Sequence, residues 1–116
     1  IKKNKNIQTY FFEDIAVANK ITFAKAIENT ITFIKNTYTG IEIDLDAIEN
    51  VVSSAISPSG FSSTQARQFV HQTASKSKVA YLHICEGAAE LDNGLRSLTT
   101  GKLIAYLVSD FVKAIK

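Results

Sequence analysis

Methionine and tryptophan are missing from this sequence, and cysteine and proline occur once each. A lone Cys85 cannot close an internal disulfide, which suits a reducing compartment and the expectation of a cytoplasmic protein. With one proline, five glycines and 21% charged residues, no segment reads as a linker or a disordered tract. No run approaches the roughly 20 apolar residues that span a bilayer, and no signal peptide is visible. Neither sign of charge dominates: 13 basic and 11 acidic residues are interspersed, leaving a net charge of +2. Nucleic acid and membrane are therefore not expected as partners, because no extended basic face can form. The only basic run, Lys2-Lys3-Asn4-Lys5, reads as a solvated end, since neither interleaved aromatics nor an amphipathic helix comes after it. The sequence opens on Ile1, so an original N-terminus is expected upstream, with any targeting segment out of view.

The residues present make a chain of single-domain size, 116 residues with 46% apolar side chains, enough to bury a core. Ile7 to Phe12 carries Ile, Thr, Tyr and Phe and suggests a short strand. Thr22 can cap a helix in which Phe23, Ile27, Ile31 and Ile34 recur at helical spacing. A strand comes next over Ile41 to Leu45, then a short helix or irregular segment from Ala47 to Ala55, then the turn signal Ser57-Pro58-Ser59-Gly60. Ser62 and Gln65 have capping-box spacing and open a helix whose inner face is Ala66, Phe69, Val70 and Thr73. Val79 to Cys85 is apolar but for His83, which suits a strand covered on both faces in a parallel sheet. Gly87 to Arg96 reads as a loop, and a last helix from about Thr100 to Ile115 would bury Leu103, Ile104, Leu107, Val108, Phe111 and Ile115. The order predicts an α/β fold of three layers, α/β/α, around a mainly parallel sheet.

The stretch Ile41-Glu-Ile-Asp-Leu-Asp46 bears most directly on function. In an extended chain Glu42, Asp44 and Asp46 share one face, and carboxylates at i and i+2 at the mouth of a strand can ligate one hard divalent cation or bridge two. The same pattern also suits a strand ending in a turn, with Asp46 capping the next segment. Ligands of parallel sheets gather at the carboxyl ends of the strands, where Asp44, Asp46 and Glu86 all fall. His83 is expected to be buried and hydrogen-bonded, His71 to lie on the surface and Cys85 to fill the core, while Arg67 and Arg96 are candidates to meet an acidic group.

From Gly40 to the end the sequence resembles the arginase, agmatinase and formimidoylglutamase family of ureohydrolases. Asp44 and Asp46 match the two aspartates of that family's Asp-x-Asp metal-binding segment, and Glu49 stands where a third aspartate is usual. Ala80-Tyr-Leu-His-Ile-Cys-Glu86 looks like the next strand, with Glu86 on the glutamate that contacts the substrate's guanidinium-type group, and Thr99 to Leu107 looks like the closing helix. Asn50 to Ala55 followed by Ser57-Pro-Ser-Gly60 is most similar to a formimidoylglutamase-type branch, which acts in histidine breakdown. Departures are Asn50 in place of a proline, a compressed loop, His83 in place of an aspartate, and the absence of the family's Gly-Gly-Asp-His and Asp-Ala-His-x-Asp motifs with its other four metal ligands.

The resemblance implies that residues 1–116 are the C-terminal part of a single arginase-like α/β domain. It implies a hydrolase with two Mn2+ ions, held here by Asp44 and Asp46, that cleaves a C–N bond of a linear amidine or guanidine. Formimidoylglutamate leads as substrate, with arginine or agmatine behind it. Glu86 would hold the cationic nitrogen, Glu49 would support the metal ligands through a hydrogen bond, and the complete enzyme would be a homo-oligomer. Oxygen ligands without thiolates favour Mn or Mg over Zn. The alternative is a non-catalytic α/β module in which the acids are structural and the surface binds a protein partner.

Overall fold

The computed structural model describes residues 4–115, so Lys2 and Lys3 of the basic run at the start lie outside the described residues. A π-helical turn over Glu13–Val17 precedes α1 (Phe23–Phe33), β1 (Tyr38–Asp44), a 3-10 turn (Leu45–Ala47), α2 (Ser63–Lys76), β2 (Lys78–Cys85) and α3 (Thr100–Ala114). The strand expected over Ile7 to Phe12 does not form. Phe11 and Phe12 lead into the π-helical turn, and the Phe12 ring meets Phe61 edge-on at 5.1 Å, so the aromatics pack onto a loop rather than join a ladder.

The helices start where their caps dictate. The Thr22 hydroxyl accepts from the Lys25 N–H at 3.1 Å. Ser62 and Gln65 form the full capping box, with the Ser62 hydroxyl accepting from the Gln65 N–H at 3.0 Å and the Gln65 side chain accepting from the Ser62 N–H at 2.9 Å.

β1 and β2 pair in parallel, with Glu42 opposite His83, Ile43 opposite Ile84 and Asp44 opposite Cys85. A register shift between Thr39 and Gly40 leaves Ala80 as an extra residue on β2, so Gly40 faces Tyr81. One sheet face supplies Ile41, Ile43 and Leu45, which pack with Val70 of α2 and Leu103 and Leu107 of α3 as the centre of the core. The other face carries Glu42, Asp44, Tyr81 and His83, all exposed among the described residues. β2 is therefore covered on one face where the sequence suggested two, and the expected buried histidine is on the open side.

The inner face of α2 is as expected, with Ala66, Val70 and Thr73 buried and His71 exposed. α3 differs: Leu103 and Leu107 are buried, but Val108 and Ile115 are 44% and 43% exposed, since the helix presents a narrower stripe to the sheet. Arg67 clamps α2 to α3 through two bonds to Asp110, at 2.7 and 3.0 Å, with its guanidinium 4.6 Å from the centre of the Tyr106 ring. Arg96 pairs with Glu90 at 3.3 Å. Both arginines raised as contacts for an acidic group thus have acidic partners within the chain. No helix among the described residues is long and apolar enough to cross a membrane.

Candidate metal centre

The two strands end side by side, and this brings the three acids to one rim. Asp44 is the last residue of β1, Asp46 lies in the adjoining 3-10 turn, and Glu86 comes directly after the last residue of β2. Strict strand alternation does not extend to Asp46. The chain turns at Leu45, and the Asp46 N–H donates to Asp44 Oδ1 at 2.9 Å, so the turn sets the Asp46 backbone against the Asp44 carboxylate. Leu45 between them is fully buried and anchors the turn to the core.

The rim is held by its loops. The N–H groups of Phe61 and Glu49 donate to the carbonyls of Ala47 and Phe61 at 3.0 and 2.9 Å, and the Ala88 N–H donates to the Val52 carbonyl at 2.9 Å. Gly87 is needed there, because a Cβ would run into the Leu45 side chain. Just before it, Glu86 has a φ of +69°, the left-handed region that non-glycine residues rarely occupy. That conformation turns the chain out of β2 toward the pairing of Gly87 with Ser53.

The acids share one electrostatic environment. The half-buried Cys85 thiol is pushed up by burial, then by the carboxylates of Asp44, Glu86, Glu42 and Asp46, which makes it a poor nucleophile. Below the rim, His83 Nδ1 lies 2.5 Å from Glu42 Oε2. His83 and then the Tyr81 hydroxyl hold the Glu42 carboxyl below the usual carboxylate range, and Glu42 in turn raises the Tyr81 phenol. The Tyr81 ring lies where a Cβ on Gly40 would be, so glycine at that position lets Tyr81 cross β1. Sequence reasoning missed this cluster. Its signal was the glycine in β1 opposite an aromatic, legible only once the bulge at Ala80 sets the register.

Asp46 Oδ1 is a buried carboxylate oxygen without a hydrogen-bond partner among the described residues, a costly arrangement that a cation would relieve. With Asp44 exposed beside it, the donors fit a hard divalent ion. Glu49 is exposed in the loop beyond, and its side chain makes no hydrogen bond to either aspartate among the described residues. No group of three or more His, Cys, Asp or Glu side chains able to hold a metal occurs among the described residues, so these residues form no full coordination shell.

No protein-family model and no curated protein matches the sequence. Solved structures do match the fold. An agmatinase, described as hypothetical, from Burkholderia thailandensis superposes with a TM-score of 0.70 at 16% identity, covering 94% of this chain and 37% of its own. The arginase of Entamoeba histolytica, solved with L-ornithine, gives 0.67 at 16% identity over 82% of this chain and 32% of its own. The arginase of Bacillus subtilis gives 0.66 at 16% identity over 81% and 34%. The chain thus has the α/β fold of arginase and agmatinase structures and spans about a third of their length. At the level of fold, the resemblance read from the sequence is borne out.

Proposed function

We propose that this chain is the C-terminal part of a manganese-dependent ureohydrolase, a single arginase-like α/β domain whose remaining metal ligands lie outside it. The observation that carries the reading is the convergence of Asp44, Asp46 and Glu86 on one rim of a fold shared with arginases and agmatinases. Asp44 and Asp46 hold manganese in the complete enzyme. When bound, two such ions supply a Lewis-acid centre that makes water nucleophilic at neutral pH.

The chain's own groups bind and orient. Asp46 Oδ1 gives a desolvated oxygen to the cation, and the bond from the Asp46 N–H fixes the Asp44 carboxylate. Glu86 accepts charge-assisted hydrogen bonds from the cationic nitrogen of a linear amidine or guanidine, holding the carbon above the rim. Its left-handed backbone, with φ at +69°, is held at a modest cost in stability. The substrate read from the sequence is formimidoylglutamate, with arginine or agmatine next, in a cytoplasmic homo-oligomer.

The test is metal analysis and kinetics on the complete enzyme. Asp44→Ala and Asp46→Ala should lose manganese and rate together, whereas Glu86→Ala should retain manganese and lose mainly substrate affinity. Full manganese occupancy with normal turnover in Asp44→Ala would require withdrawal of the assignment in favour of a non-catalytic module.

A further inference from the structure

A cavity of about 330 Å³ opens at the end of the sheet opposite the acid rim, where β1 and β2 begin and α2 and α3 end. Tyr38 and Lys78, the paired first residues of the two strands, line it together with Ala74, Ser77, Val79 and Ile115. The Lys78 ammonium lies 5.8 Å from the centre of the Tyr38 ring and forms no ion pair among the described residues. No aspartate or glutamate lines the cavity among the described residues, and Asp110 of α3 is neutralised by Arg67. Ser77 Oγ is buried without a hydrogen-bond partner among the described residues, a donor left unspent. Ser75 differs, since its hydroxyl donates to the Gln72 carbonyl at 3.1 Å.

We infer that this cavity binds a phosphate monoester with a small apolar substituent, the phosphate against Lys78 and Ser77 and the substituent against Tyr38, Val79 and Ile115. A free ammonium with no lining carboxylate sets the sign of the head and rejects a cation. Lys76 and Lys113, in the last turns of α2 and α3, add positive charge at the same end, where they offset the helix carbonyls. Lys78 belongs to neither helix, so its charge is left for the ligand. The unspent Ser77 hydroxyl favours an oxyanion over a neutral group, because charge-assisted hydrogen bonds are about twice as strong. At roughly 30 Å³ per water-sized group the cavity has room for about ten such groups, which suits one ring beside the phosphate and excludes a long acyl chain. Asp44, Asp46 and Glu86 stand at the other end of the strands, so binding here needs no metal.

The experiment is a titration of the protein in metal-free buffer at about pH 8, where a phosphate monoester is a dianion, followed by NMR. The probe is phenyl phosphate, with phenol, inorganic phosphate and phenyltrimethylammonium as controls for the head, the ring and the sign of charge. Phenyl phosphate should give saturable shifts at Tyr38, Ser77, Lys78 and Ile115, with phenol and inorganic phosphate each binding at least about tenfold more weakly and phenyltrimethylammonium not at all. Lys78→Gln, at an exposed position, and Ser77→Ala should each weaken phenyl phosphate about tenfold and leave phenol unchanged, which also shows that the cavity is intact. Lys20→Gln, at a lysine paired with Asp14 near the start of the chain, should bind phenyl phosphate as the unaltered protein does. Phenol binding as tightly as phenyl phosphate, unchanged affinity in Lys78→Gln or in Ser77→Ala, or no saturable shift with phenyl phosphate would overturn the inference.

Discussion

Leu45→Ala tests whether the acid rim is anchored by the core beneath it. Leu45 is fully buried between two exposed or half-exposed aspartates, and its side chain fills the space a Cβ on Gly87 would take. Removing three carbons forfeits about 2.4 kcal/mol of transfer free energy at ~0.8 kcal/mol per group, and a residual cavity raises the loss to about 3–4 kcal/mol. Against a typical domain stability of about 5–15 kcal/mol that is a large fraction. Gly87→Ala alone should cost about 1–2 kcal/mol by overpacking against Leu45. In the Leu45→Ala background the new methyl enters the vacated space, so its cost should fall to near zero, a coupling of about 1–2 kcal/mol. Urea unfolding followed by far-ultraviolet circular dichroism measures all four corners of the cycle. Leu98→Ala, at a residue 97% exposed, is the control and should change stability by less than about 0.5 kcal/mol. A loss under about 1 kcal/mol for Leu45→Ala, or additive effects in the double variant, would refute the anchoring of the rim.

The Arg67 guanidinium holds the Asp110 carboxyl below its usual range. A depressed folded pKa contributes stability above the unfolded value, near pH 4, and loses it as pH falls through the folded value, so Asp110→Asn should flatten the acid limb of stability against pH. Glu86→Gly should raise stability by up to about 1 kcal/mol in urea unfolding, by releasing the left-handed backbone, and should still impair substrate binding in the complete enzyme. Unchanged or lowered stability would mean that Glu86 is not strained there.

Much of the architecture was legible because local signals and burial agree. The capping box at Ser62 and Gln65 and the alternation of Ile41, Ile43 and Leu45 each point to one structure, and that structure forms. Ile7 to Phe12 misled because aromatic and β-branched residues suit any apolar surface, and here Phe61 provides one. His83 reads as buried because its neighbours are apolar, yet periodicity does not tell which sheet face is covered. Alternation along β1 accounts for the face of Asp44, while the turn at Leu45, which no alternation signals, sets the position of Asp46. The pairing of Arg67 with Asp110 spans 43 positions, beyond the reach of local pattern.

Manganese binding to this chain, followed by electron paramagnetic resonance during titration, tests the candidate metal centre most directly. Two carboxylates without the rest of a coordination shell should give one weak site, with a dissociation constant on the order of 10⁻³ M. That site should vanish in Asp44→Ala and in Asp46→Ala and persist in Glu90→Gln. Binding that is unchanged by both aspartate substitutions would contradict the assignment of Asp44 and Asp46 as metal ligands.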